Sequence, residues 1–223
     1  MIFERSESLL GTETMSRISN KRVLIVGVGG VGSWCAEALV RTGFMDLTIM
    51  DDDLVAPSNI NRQCPALMST VGQDKVGVMS VRLKEINPEA KITALKKRYV
   101  ADGENVDLSQ FDLIIDAIDS VDCKAALILD AFTQKVPIIS SMGAARRLDP
   151  TKVRISQFCK VNGDGLAKAL RARFKKLSRY PGKFECVWSE EPPMTNTDGS
   201  VPRGSVMQVT CAFAMALASR AID

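Results

Sequence analysis

The segment Gly27-Val28-Gly29-Gly30-Val31-Gly32 has the composition of a turn that holds a polyphosphate. It stands between an apolar run, Arg22–Val26, and a helical pattern over 31–42. Glycines there permit a tight turn and a close approach to the backbone, and the free N–H groups at the helix start attract an anion. Asp51 follows the next apolar run, where a carboxylate can accept hydrogen bonds from a ribose. These features alone leave NAD, flavin and ATP open, and the glycines could also do no more than pack helix on strand. The residues downstream narrow the choice. Asp53 and then Ser58-Asn59-Ile60-Asn61-Arg62-Gln63 follow in the same connection, Lys75 opens the next helix, and Asp116-Ala117-Ile118-Asp119-Ser120 leaves a later strand. An arginine, a lysine and aspartates around a phosphate loop suit nucleotidyl transfer. The cations neutralise charge building on the α-phosphate and pyrophosphate, and a carboxylate holds Mg²⁺. Hydride transfer requires no such set. For single members plainer readings stay open: Lys75 as a solvated helix residue, Asp53 as a turn former.

To bring these groups together the chain needs a sheet whose strand ends share one edge. Apolar runs of strand length at 22–26, 47–50, 92–95, 113–117 and 137–141 alternate with helical patterns at 31–42, 74–87 and 121–135. Gly43 caps the first helix and Pro88 stops the second. The alternation predicts an α/β fold, a doubly wound, mostly parallel Rossmann-like sheet with helices on both faces. Ligands bind such sheets at the carboxyl ends of the strands, so every group named above can reach one edge. After Asp149-Pro150 the pattern changes to a half-exposed strand at 153–158 and a basic helix from 164 to about 177. A loop rich in Gly, Pro and Ser over 178–205 follows, expected to be mobile at 189–204, and then a final helix from about 206 to 222. The reading is one domain over 1–223. Its nucleotide-binding core is 1–145, and a C-terminal strand, loop and helix over 146–223 elaborate the substrate side.

Composition excludes several classes. The chain has 223 residues, 46% of them hydrophobic and 25% charged, with mean hydropathy +0.04, as in soluble globular proteins. The absence of histidine removes Ser-His-Asp and Cys-His catalysis and most imidazole metal sites. No pair of its cysteines is spaced C-x-x-C, which argues against a structural zinc knuckle. The first residues have no apolar core of signal-peptide length, and the apolar C-terminal stretch is interrupted by Gln208, Ser219 and Arg220. A cytoplasmic protein without stable membrane insertion is expected. Net charge is only +3, but Lys168, Arg171, Arg173, Lys175, Lys176, Arg179 and Lys183 follow one another with no acid between them. With Arg146 and Arg147 they could form a polynucleotide track, or the helix could simply present a solvated face.

The motifs also carry a family resemblance. G-x-G-G-x-G, D-x-D at Asp51 and Asp53, S-N-x-x-R-Q from Ser58, G-x-x-K ending at Lys75, I-N-P from Ile86 and D-A-I-D-S from Asp116 occur in this order. The set resembles the bacterial adenylyltransferases of molybdopterin and thiamin biosynthesis, in the ubiquitin-activating-enzyme-like superfamily. The resemblance implies ATP and Mg²⁺ as cofactors. Gly27, Gly29, Gly30 and Gly32 would lie at the phosphates and Asp51 at the ribose. Ser58, Asn59 and Ser120 would line the nucleotide site, Asn61, Arg62 and Lys75 would contact the triphosphate, and Asp119 would bind the metal. Arg5 matches an arginine that the family inserts into the partner subunit's site, which implies a homodimer; an exposed arm charge is the plainer alternative.

Members that activate ubiquitin-like carriers commonly have two C-x-x-C pairs, absent here. Gly32-Ser33-Trp34, Arg5-Ser6-Glu7-Ser8-Leu9-Leu10-Gly11, Lys124-Ala125-Ala126-Leu127-Ile128 and Cys186-Val187-Trp188-Ser189 resemble more closely the tRNA threonylcarbamoyladenosine dehydratases. The chain is shorter than those around 182–204. This resemblance implies ATP-dependent cyclisation of N6-threonylcarbamoyladenosine in tRNA, through an acyl-adenylate of its threonyl carboxylate. Arg146, Arg147, Lys168, Arg171, Arg173, Lys175 and Lys176 would then meet the nucleic acid. A sulfur-transfer protein is a further possible partner, and Cys186 is either an acyl-carrying thiol or a packed one. Activation of the C-terminal glycine of a sulfur-carrier protein, and an NAD-binding oxidoreductase or sensor, are the competing functions.

Overall fold

The computed structural model describes residues 2–195 and 204–223. The part of the expected mobile loop at 196–203 lies outside the described residues. Seven strands form one sheet: β1 (Arg22–Val26), β2 (Asp46–Met50), β3 (Lys91–Leu95), β4 (Leu113–Asp116), β5 (Ile138–Ser141), β6 (Val153–Gln157) and β7 (Glu185–Ser189). Their spatial order is β3-β2-β1-β4-β5-β7-β6. All neighbours are parallel except β6, which runs antiparallel to β7 at the edge. Order reverses between β1 and β4, and the crevice at that switch point is where such sheets bind ligands.

The central strand shows why the fold forms. Val23 and Ile25 of β1 enter the core on one face of the sheet, Leu24 and Val26 the core on the other, and all are buried. A strand covered on both faces favours apolar side chains on either side, and burying each apolar one stabilises by about 1.5–3 kcal/mol. On the first face pack α1 (Glu4–Asn20), α2 (Gly32–Thr42), α3 (Lys75–Ile86) and α6 (Met207–Ile222); on the second, α4 (Val121–Thr133) and α5 (Gly165–Leu177). The C-terminal helix belongs to the core. It lies against α2 through Val209, Phe213 and Leu217, all buried.

Two elements depart from the sequence reading. The stretch 178–205, taken as loop, contains β7, which is inserted between β5 and β6 and hydrogen-bonded on both sides. Its five residues lie among Gly, Pro and Ser, and only pairing with distant strands makes them extended. The N-terminal arm is helical. In α1 Gly11 departs from helical geometry at φ 78°, ψ 157°, so the helix is kinked between a half carrying Arg5 and a half anchored by buried Ile18. Among the described residues no helix is long and apolar enough to cross a membrane.

Candidate active site

A cleft of about 490 Å³ opens at the carboxyl edge of the sheet. Its floor is the turn after β1. Gly27 has φ +92°, and a Cβ there would meet the Ala117 carbonyl oxygen at 2.7 Å, so β4 can approach only a glycine. Gly32 opens α2 so close to that turn that a Cβ would fall 1.8 Å from the Gly27 carbonyl oxygen. It packs helix on strand and does not itself line the cleft. Gly29 and Gly30 do line it.

Asp51, at the end of β2, fastens the turn. One carboxylate oxygen accepts from the Val28 amide at 2.7 Å, the other from the Asp53 amide at 2.9 Å. Burial raises its carboxyl above the ordinary range, opposed by those hydrogen bonds and by Lys75. Asp53 accepts from Lys75 Nζ at 2.7 Å, and Lys75, with its side chain 5% exposed, is no solvated helix residue. Asp52 pairs with Arg98 at 3.0 Å. Asp51, Asp52 and Asp53 present oxygens within 4.8 Å of one another, but these partners already occupy them.

Arg62 reaches the cleft from the connection after β2, where its guanidinium donates to the Ser58 carbonyl at 3.0 Å and to Asn61 Oδ1 at 2.9 Å. Asn61 Nδ2 donates to the Ser205 carbonyl at 2.8 Å, tying this connection to the chain entering α6. Ser58 and Asn61 therefore brace Arg62 and lie outside the lining, while Asn59 and Gln63 are part of it. From the turn after β4, Asp119 and Ser120 face the cleft, both exposed, and Asp119 has no cationic partner among the described residues. Asp116, in the same motif, is fully buried against Lys124. Arg5 lies exposed in the first turn of α1 and does not line the cleft of its own chain.

The sequence reading overlooked Lys97, Arg98 and Tyr99 after β3, Ser141 to Ala145 after β5, and Ser205 and Thr210, all of which line the cleft. The signal was available for the first two groups: each follows a strand of a parallel sheet and so must emerge at this edge. Ser205 and Thr210 come only from the way α6 docks.

The basic residues divide sharply. Lys168, Lys175 and Lys176 on α5 are exposed and Arg146 is half-buried. Arg147 is 3% exposed, paired with Asp164 at 3.1 Å and donating to the Glu191 carbonyl at 3.0 Å and to the Gly143 carbonyl. Arg171 donates to the Phe158 and Val161 carbonyls at 2.9 and 2.6 Å and covers the Phe158 ring at 4.9 Å. Arg173 stands 2.8 Å from Asp122, though not aligned for a hydrogen bond. These three arginines, expected at nucleic acid, are committed within the chain. Cys186 is buried in β7, where burial pushes its thiol up, so it is the packed thiol and closed to substrate.

The model of the ThiF family matches residues 3–223. A tRNA threonylcarbamoyladenosine dehydratase of Bacillus subtilis is 39% identical over 193 residues, 86% of this chain and 76% of the relative. The Escherichia coli tRNA N6-threonylcarbamoyladenosine dehydratase in complex with AMP is similar at TM-score 0.90 and 35% identity, covering 99% of this chain and 92% of that one. The same enzyme in complex with ATP gives TM-score 0.88 and 34% identity, with 99% and 91% covered. With the glycine turn, the acidic strand end and the Arg62–Lys75–Asp119 cleft in that setting, the chain belongs to the ThiF family and, within it, to the tRNA threonylcarbamoyladenosine dehydratases.

Proposed function

We propose that this cleft catalyses ATP-dependent dehydration of N6-threonylcarbamoyladenosine in tRNA. The observation that carries the reading is the convergence of Gly29, Gly30, Arg62, Lys75 and Asp119 on one cleft, in a chain similar over 99% of its length to a dehydratase with bound ATP. The threonyl carboxylate attacks the α-phosphate of ATP, the bond to the β-phosphate breaks, and pyrophosphate leaves. The carbamoyl group of the same nucleoside then attacks the activated carbonyl, the ring closes and AMP departs. Arg62 and Lys75 neutralise the charge moving onto pyrophosphate, and the amides of Gly29 and Gly30 hold phosphate oxygens. Asp51, which lines the cleft at the end of β2, accepts hydrogen bonds from the ribose in this reading. Ring closure is intramolecular, so positioning alone supplies much of its rate and no nucleophilic side chain is needed.

Asp119 fits a Mg²⁺ ligand: it is an oxygen donor on the cleft without a cationic partner among the described residues, and Mg²⁺ binds through one or two carboxylates plus substrate phosphates. The ion would offset phosphate charge there. For the tRNA, the exposed face of α5 with Lys168, Lys175 and Lys176, extended by Arg146, offers a phosphate track. We take the active form to be a homodimer in the cytoplasm, with Arg5 completing the neighbour's cleft. Exposed Ile2 and Leu9 on the same arm are the apolar surface such an exchange would cover. A sulfur-transfer protein fits as an accessory partner only if the assay requires one.

Nucleoside analysis of tRNA from cells lacking the gene tests the reading. The cyclic nucleoside should vanish and the open form accumulate; persistence of the cyclic form would rule the function out. ATP–pyrophosphate exchange that depends on modified tRNA, and not on a carrier protein, separates it from carrier activation.

A further inference from the structure

Lys124 is a basic side chain buried completely inside the fold. It lies in the first turns of α4 and its side chain has no exposure, nor has that of Asp116. Its ammonium spends its three donors inside the protein: on Asp116 Oδ2 at 2.7 Å, Ser140 Oγ at 3.1 Å and the Ser141 carbonyl at 2.9 Å. Ser140 Oγ in turn donates to Asp116 Oδ2 at 2.6 Å, and the other oxygen of Asp116 accepts from the Ile118 amide at 3.1 Å. Desolvation offsets most of what a buried ion pair gains, so stability is a weak reason to place one there. Geometry is a better one. The network ties the end of β4 to the end of β5 and to the start of α4. The turn leaving β4 carries Asp119, the chain leaving the neighbouring β5 carries Gly143, and both residues line the same cleft.

We propose that Lys124 is a positioning residue for the reaction. It holds the Asp119 turn and the Gly143 turn in fixed relation, and so fixes where the Asp119 carboxylate stands in the cleft. The inference rests on the adenylation reading above. Lys124 touches neither nucleotide nor acceptor and acts through Asp116 and Ser140.

The test compares the parent with Ser140→Ala and with the double variant Asp116→Asn/Lys124→Met, which removes both charges together and keeps an acceptor for the Ile118 amide. Melting temperature, ATP affinity with and without Mg²⁺, and exchange rate against Mg²⁺ concentration are measured on each. The double variant should bind ATP without metal like the parent, yet lose about 10–100-fold in exchange rate and in the Mg²⁺-dependent gain in ATP affinity, as losses of supporting contacts around metal ligands do. Ser140→Ala should move both in the same direction by a smaller factor. An Mg²⁺ dependence equal to the parent's in Ser140→Ala would overturn the proposal, whether or not the double variant folds. So would loss of melting temperature, metal-free ATP affinity and exchange together. A parent that binds ATP but never exchanges pyrophosphate would count instead against the adenylation reading.

Discussion

Asp116 is sealed against Lys124, whereas Asp119, in the turn that follows, lines the cleft with no cation beside it among the described residues. Asp119→Ala should therefore leave melting behaviour near the parent's and lower adenylate formation by about 10²–10³-fold, the usual cost of one transition-state charge contact. Rapid-quench detection of the acyl-adenylate measures it, and near-parent turnover with an unchanged metal requirement would remove Asp119 from the mechanism. Glu37, on α2, shows the opposite use of a carboxylate. Burial would push its carboxyl up, but hydrogen bonds from Arg82, Cys64 and Arg41 bring it down to about 2. A folded value below the unfolded one contributes stability that is complete above about pH 4.5 and is lost as pH falls toward 2. Glu37→Gln should destabilise by about 1–3 kcal/mol at pH 7. It should also flatten the dependence of denaturation midpoint on pH across that acid window, and a parental slope there would refute the assignment.

Among the elements, α5 is where charge and burial part company. Ala167, Leu170 and Phe174 face the core and Lys168, Lys175 and Lys176 face water, while Arg171 and Arg173 are drawn back into contacts within the chain. Replacing the three lysines by glutamine should weaken binding of modified tRNA and lower the slope of log affinity against log salt by about one unit per lost phosphate contact. ATP affinity should hold. Filter binding across a salt series gives the slope, and an unchanged slope would make this face a solvated surface only. Arg147→Gln should behave differently, losing stability through the orphaned Asp164 with no change in salt slope, since Arg147 is buried in that pair.

At the scale of the whole molecule Arg5 stands apart, outside the cleft of its own chain. Its helix is kinked at Gly11, so the half that carries Arg5 follows a different axis from the half anchored at Ile18. If the arm reaches a neighbour, Arg5→Ala and Asp119→Ala chains are each inactive alone, and mixing them after subunit exchange should restore part of the parental activity. One site of each heterodimer then holds both residues. Inactivity despite demonstrated exchange, by differently tagged subunits, would place Arg5 in its own cleft or in none.

The sequence by itself determined the parallel sheet, the glycine turn and many of the groups that line the cleft. Those signals are local: continuous apolar strands such as β1, glycines between strand and helix, and functional residues placed just after strand ends. Tertiary structure decided the rest. Arg147, Arg171 and Arg173 read as surface charge because a basic run shows nothing of the carbonyls and acids that distant segments bring to it. The strand β7 is extended because β5 and β6 pair with it, and its own residues carry too little pattern to say so. Lys124 stands in the sequence only as one residue of a family motif, yet in the fold it closes a buried network between two strand ends. Local periodicity reports which face a residue prefers, whereas a hydrogen-bond partner far along the chain exists only once the sheet has brought the strand ends together.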